Sequence, residues 1–165
     1  MVCFRRVFMA AAVTAALTGL ATSASAQSQI TYALAGVETA ATSTQGTFVG
    51  IALSHDDFGT WGAVVLHEPL DDSVPITGGS FAIDGKVRHL EGVISDGDVV
   101  RLAGSCRKET FDVTGHVMLF QDGVPTDDFG DFEVTLTHYG FRTSGGGCVT
   151  YFATIEGLIT FTLTP

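Results

Sequence analysis

The chain contains no asparagine, one tryptophan, three cysteines and four prolines, and it sets eight Lys and Arg against eighteen Asp and Glu among 165 residues. Each scarcity excludes something. With no run of Lys or Arg there is no electrostatic footprint for a phosphate backbone or an anionic bilayer, so neither nucleic acid nor anionic lipid is an expected partner. The acidic excess points instead to a basic protein as partner, through charge complementarity. After residue 27 no apolar run approaches the roughly 18 residues a membrane helix needs, so no helical membrane span is expected. Gly-x-Ser-x-Gly, phosphate-loop, dinucleotide-fingerprint and His-Glu-x-x-His motifs are all missing. Gly78-Gly79-Ser80-Phe81-Ala82 lacks the final glycine of the first of these. The sequence therefore leans away from an enzyme and names no cofactor.

What is present begins with Met1 to Ala26. Arg5 and Arg6 precede an apolar run from Val7 to Leu20, and Ala24-Ser25-Ala26 follows. This is the pattern of a signal peptide, which predicts export to the periplasm or beyond the cell after cleavage near Ala26. The remaining 139 residues (27–165) carry six basic and eighteen acidic side chains, a net charge of −12, and fit a single domain. Cys3 falls in the leader. Cys106 and Cys148 are left as an even pair in an oxidising setting, which predicts one disulfide.

Helix signals are poor. Thr and Gly recur every few residues, and apolar residues alternate over short windows. Strands are expected near 30–36, 46–53, 60–68, 76–83, 89–95, 98–104, 110–119, 131–139, 148–154 and 156–163. Asp and Gly supply the turns between them, since Asn is absent. The segment 38–45 reads as a loop. Together these predict an all-β domain, an antiparallel β-sandwich or small β-barrel of about 8–10 strands.

An internal repeat is visible. Asp56, Asp57, Phe58, Gly59 and His67 recur 71 residues later as Asp127, Asp128, Phe129, Gly130 and His138. Gly50 matches Gly115, Gly78-Gly79 matches Gly145-Gly146, and Glu91-Gly92 matches Glu156-Gly157. The repeat predicts two half-domains, about 46–95 and about 111–163, sharing one core.

The repeat also selects the candidate site residues. Period-two alternation puts Trp61 and His67 on one strand face and Phe132 and His138 on the equivalent face of the second copy. The alternatives are a pair of rim histidines serving only the core, or a pocket in which His67, His138, Trp61 and Phe132 bind a ligand or metal. Asp56, Asp57, Asp127 and Asp128 would suit a hard cation such as Ca²⁺, although ordinary hairpin turns explain them too. Two functions follow. One is a non-catalytic exported module with an acidic surface, acting in binding, inhibition or assembly. The alternative is a small barrel enzyme or small-ligand binder built on the two histidines. An outer-membrane barrel is a third and weaker fit.

Overall fold

The computed structural model describes residues 27–164; the signal-peptide reading of residues 1–26 lies outside them. Eight strands follow in order: β1 (Ser28–Ala41), β2 (Gln45–Leu53), β3 (Phe58–His67), β4 (Ser73–Gly85), β5 (His89–Ser105), β6 (Lys108–Gln121), β7 (Val124–Arg142) and β8 (Cys148–Leu163). Each pairs antiparallel with its neighbours in sequence, and β8 pairs with β1 from Ser28↔Leu163 to Val37↔Thr154. The sheet therefore closes into a barrel and leaves no free edge. Of the two expected architectures, the closed barrel is the one formed.

The ten expected strand windows resolve into eight for physical reasons. Asp96-Gly97 is not a turn. It sits at a register shift between Ile94 and Asp96, where Gly97 takes a φ of 153°. A Cβ there would lie 2.1 Å from the carbonyl oxygen of Thr114, so only glycine fits this bulge. By contrast Asp122-Gly123, with φ of 52° and 77°, forms a two-residue hairpin loop whose twist matches its strands. The segment expected as a loop from residue 38 is mostly strand. Glu38, Ala40 and Ala41 pair with Phe48, Thr47 and Gly46, and the chain turns only over 42–44.

An eight-stranded barrel is narrow inside. This chain fills it with aromatics set against glycines. Trp61 faces Gly50, Phe81 faces Gly92, Phe132 faces Gly115 and Phe161 faces Gly130, each pair directly across neighbouring strands. At all four glycines a Cβ would meet the facing ring at 3.0 Å or less. The missing side chain is the space the ring occupies, so pattern and packing are one device.

The Trp61–Gly50 and Phe132–Gly115 pairs stand on β2–β3 and β6–β7, four strands apart around the barrel and running in the same directions. The later repeat anchors fall on unlike positions. Gly78-Gly79 lies within β4, whereas Gly145-Gly146 lies in the β7–β8 turn; Glu91-Gly92 and Glu156-Gly157 lie on strands of opposite direction.

The two barrel ends differ. At the end holding the β2–β3, β4–β5 and β6–β7 turns, Tyr32, Ile83, Val117 and Phe161 are fully buried. Phe161 stacks on Phe81 and meets Tyr32 edge-on. Asp57 is tucked beneath them. The opposite end holds the β1–β2, β3–β4, β5–β6 and β7–β8 connections and is less filled. There Cys106 and Cys148 stand at disulfide distance, with Cα atoms 5.3 Å apart, and tie two hairpin tips together. The outer wall carries exposed Asp98, Asp131, Glu133 and Glu156 beside exposed Val49, Ile51, Leu53, Met118 and Leu158, while the interior is apolar. An apolar interior is unlike the polar lumen of a transmembrane barrel.

Candidate functional site

Inward-facing side chains of the less filled end enclose a cavity of about 120 Å³. Its walls are apolar, with Phe48, Trp61, Val65, Val134, Leu136 and Ile155 prominent. Four polar side chains reach it: Glu38, Thr42, His67 and His138. All four candidate ligand-binding residues from the sequence, His67, His138, Trp61 and Phe132, line this one space. The repeat places Trp61 and Phe132 on opposite walls, and period two carries each row on to its histidine near the strand end.

The polar groups are arranged unequally. His67 is buried, and its Nδ1 lies 2.6 Å from the carbonyl oxygen of Glu68. A carbonyl only accepts, so Nδ1 carries the hydrogen, and in the neutral ring Nε2 is left as an acceptor. His138 packs edge-on against Phe111. Its Nε2 lies 3.2 Å from Oε2 of Glu38, and both side chains are about nine-tenths buried. The approach lacks the alignment of a hydrogen bond, and Nε2 has no other partner. A polar atom in that state costs free energy unless something else satisfies it. The pair is therefore close and incompletely hydrogen-bonded, at the edge of an apolar space.

Glu38 is the site residue that sequence reasoning missed. Tyr32, Leu34, Gly36 and Glu38 share one parity on β1, so alternation alone points Glu38 inward. Reading residues 38–45 as a loop cut that row short. The sequence also gave no warning of Leu70, which reaches the cavity mouth from the β3–β4 loop.

The four turn aspartates lie elsewhere, toward the packed end. Asp56 accepts two hydrogen bonds from the Arg88 guanidinium, at 3.0 and 2.7 Å. Asp57 accepts from the Tyr32 hydroxyl at 2.8 Å and from the amides of Val87 and Arg88 at 2.9 and 3.1 Å. Asp128 accepts from the amide and hydroxyl of Thr164, and Asp127 is exposed. Copy two of the Asp-Asp-Phe-Gly sequence lies inside β7 rather than in a turn. Phe58 and Phe129 are exposed, and the Lys86 Nζ lies 4.1 Å from the centre of the Phe58 ring. Among the described residues no three His, Cys, Asp or Glu side chains are grouped to hold a metal ion.

Asp57 fastens the base. Burial by itself would raise its carboxyl, but the Val87 amide, the Tyr32 hydroxyl and the Arg88 amide outweigh burial and hold it below the usual carboxylate value. The Arg88 guanidinium does the same for Asp56. A carboxyl depressed in the folded state contributes stability that is complete above its unfolded pKa and is lost as pH falls through its folded value. The thermal midpoint is therefore expected to fall steeply below about pH 4. Asp57→Asn should flatten that fall while lowering the midpoint at pH 7, and differential scanning calorimetry across pH measures both. Tyr32 is shifted upward, first by burial and then by Asp57, so ionising it opposes folding and a second loss is expected above about pH 10.

Comparison with family models, with curated proteins and with solved structures finds no match to this chain.

Proposed function

We propose that the protein is a non-catalytic binding module whose ligand is a small, mainly apolar molecule carrying one polar group, held inside the barrel. The observation that carries this reading is the apolar cavity with Glu38, His67 and His138 at its edge. A well-packed domain rarely leaves such a void, since empty apolar volume is destabilising. An apolar cavity of about 150 Å³ holds benzene, so one of about 120 Å³ suits a single ring or a short branched chain. The Nε2 of His67 would accept a hydrogen bond from a ligand hydroxyl, and the unsatisfied Nε2 of His138, when it carries the hydrogen, would donate to a hydroxyl or carbonyl oxygen. The Cys106–Cys148 bridge supports an exported setting, as the leader sequence does. The acidic outer wall supports solubility and a choice of partners, and the interior supplies the recognition.

The chain offers its own reporter. Trp61 is the single tryptophan and lines the cavity. Titration with p-cresol, followed by selectively excited tryptophan emission, is expected to saturate with a Kd on the order of 0.1 mM. Ala63→Leu, which fills the cavity from β3, should abolish the change. Unaltered emission in the native protein, or equal binding by Ala63→Leu, would refute the reading.

A double variant separates the polar contribution. Glu38→Leu with His138→Phe removes both members of the buried pair, so stability should change by less than about 1 kcal/mol. Affinity for p-cresol should drop about tenfold, one hydrogen bond's worth, while toluene binding is unchanged. Equal effects on the two ligands would show that the pair takes no part in binding.

A further inference from the structure

We propose that the two disulfide-linked hairpin tips form a basic, aromatic foot that seats the barrel end-on upon an anionic lipid surface. Charge in the sequence is scattered, and only the fold reveals this. Residues 99–108 and 139–152 contain no Asp or Glu in a chain otherwise rich in both, yet they hold Arg101, Arg107, Lys108 and Arg142. These are four of the six basic residues that follow residue 26. The other two, Lys86 and Arg88, lie at the opposite end of the barrel with Asp56, Asp57 and Asp122, whereas Glu68, Asp71 and Asp72 lie in the β3–β4 loop at the same end as the tips.

Topology brings the tips together. The bridge joins Cys106 to Cys148, the Gly140 amide donates to the Arg107 carbonyl at 3.2 Å, and Lys108 pairs with Tyr139 across β6–β7. Arg101 is engaged by Glu109 at 2.6 Å and is near Asp72 at 4.0 Å. Arg107, Lys108 and Arg142 are exposed and make no ion pair among the described residues. The acidic β3–β4 loop meets β5 at Arg101, whose amide donates to the Asp72 carbonyl, and the hairpin runs on past it through Leu102 to Ser105.

The same tips expose apolar area that the barrel does not use. Phe141, Val149, Tyr151 and Phe152 on the β7–β8 hairpin and Leu102 on β5 are each 44% exposed or more. Tyr139 stacks on Phe152 with centroids 6.0 Å apart, and Phe141 lies 6.3 Å from Tyr151. Rigid aromatics beside unpaired cations suit the interface of an anionic bilayer, where rings sit at headgroup level and cations meet lipid phosphate. An end-on pose also keeps the acids at the far end of the barrel more than a Debye length, about 8–10 Å, from the surface. The cavity mouth opens at this same end, although docking does not depend on what the cavity holds.

The test is vesicle sedimentation with the full mature chain. Vesicles of phosphatidylcholine alone are compared with vesicles containing about 30% phosphatidylglycerol, at about 100 and about 500 mM NaCl. Protein is expected to pellet at least fivefold more with the anionic vesicles at low salt, and the excess should vanish at high salt. Arg107→Glu with Arg142→Glu should abolish it, and Phe141→Ser with Tyr151→Ser should reduce it severalfold. All four positions lie outside the core, so the thermal midpoints should stay near the native value; if one pair fails to fold, the other decides. Equal pelleting with both vesicle types, or undiminished pelleting by both variants, overturns the proposal. So does a native dimer in sedimentation equilibrium without lipid that the charge-reversed variant dissociates, which would assign the foot to a second copy of the chain.

Discussion

Replacing Cys106 and Cys148 by serine is expected to lower the free energy of unfolding by about 4 kcal/mol, the chain-entropy value for a closed loop of this length. The bridge spans 42 positions of sequence and fastens the β5–β6 tip to the start of β8, across β6 and β7. It lies beyond the packed interior, so its loss leaves the core cluster intact. The effect falls mainly on the unfolded chain, which gains freedom when the loop opens. Urea denaturation of the double serine variant measures it. The slope against urea should also rise, because an uncrosslinked chain exposes more surface on unfolding. Reduction of the native protein should reproduce both changes. A loss below about 1 kcal/mol would mean that the reduced chain keeps residual structure when unfolded, which opening the loop does not release.

Phe161→Ala is expected to cost a similar amount, about 3–5 kcal/mol. Phe161 is fully buried, stacks on Phe81 with centroids 5.8 Å apart, and meets Tyr32 at 6.2 Å. It also occupies the space left by Gly130, so truncation opens a void that the backbone of β7 cannot easily fill. The loss should not be confined to contacts of the ring. Tyr32 is positioned by Phe161 and donates to Asp57, so loosening the ring weakens the fastening of the base. Leu158→Ala on the same strand is the control. Leu158 faces outward and is half exposed, and its replacement should change stability by no more than about 0.5 kcal/mol. Chemical denaturation of the two variants side by side gives the comparison, and equal losses would contradict the inside–outside assignment of β8.

Much of this architecture is legible in the residues. Alternation of apolar and polar side chains identifies the strands, and Asp-Gly pairs mark their interruptions. What alternation does not reveal is whether an Asp-Gly pair turns the chain or bulges it. Asp122-Gly123 reverses direction, whereas Asp96-Gly97 lets β5 continue, because β4 and β6 hold it on both sides. The choice between sandwich and barrel was equally hidden. It depends on β1 meeting β8, a pairing between opposite ends of the chain that no local pattern encodes.

The candidate site follows the same division. His67, His138, Trp61 and Phe132 were found because the repeat and the parity of β3 and β7 mark them together. Glu38 escapes notice because a segment rich in Thr and Ala, which reads as a connector, interrupts its row on β1. The clustering of Arg107, Lys108 and Arg142 was invisible for another reason. Arg107 and Lys108 are adjacent in sequence, but Arg142 is far along the chain, and only a disulfide and a strand pairing make it their neighbour.

The central claim, that recognition takes place inside the barrel, is tested most directly by methyl-resolved NMR during a p-cresol titration. The account predicts progressive, saturable shifts of the inward methyls of Val65, Val134, Leu136 and Ile155, with the outward methyls of Val49, Ile51 and Leu158 unmoved. Shifts confined to the outward set, or none at concentrations well above the expected Kd, would contradict it.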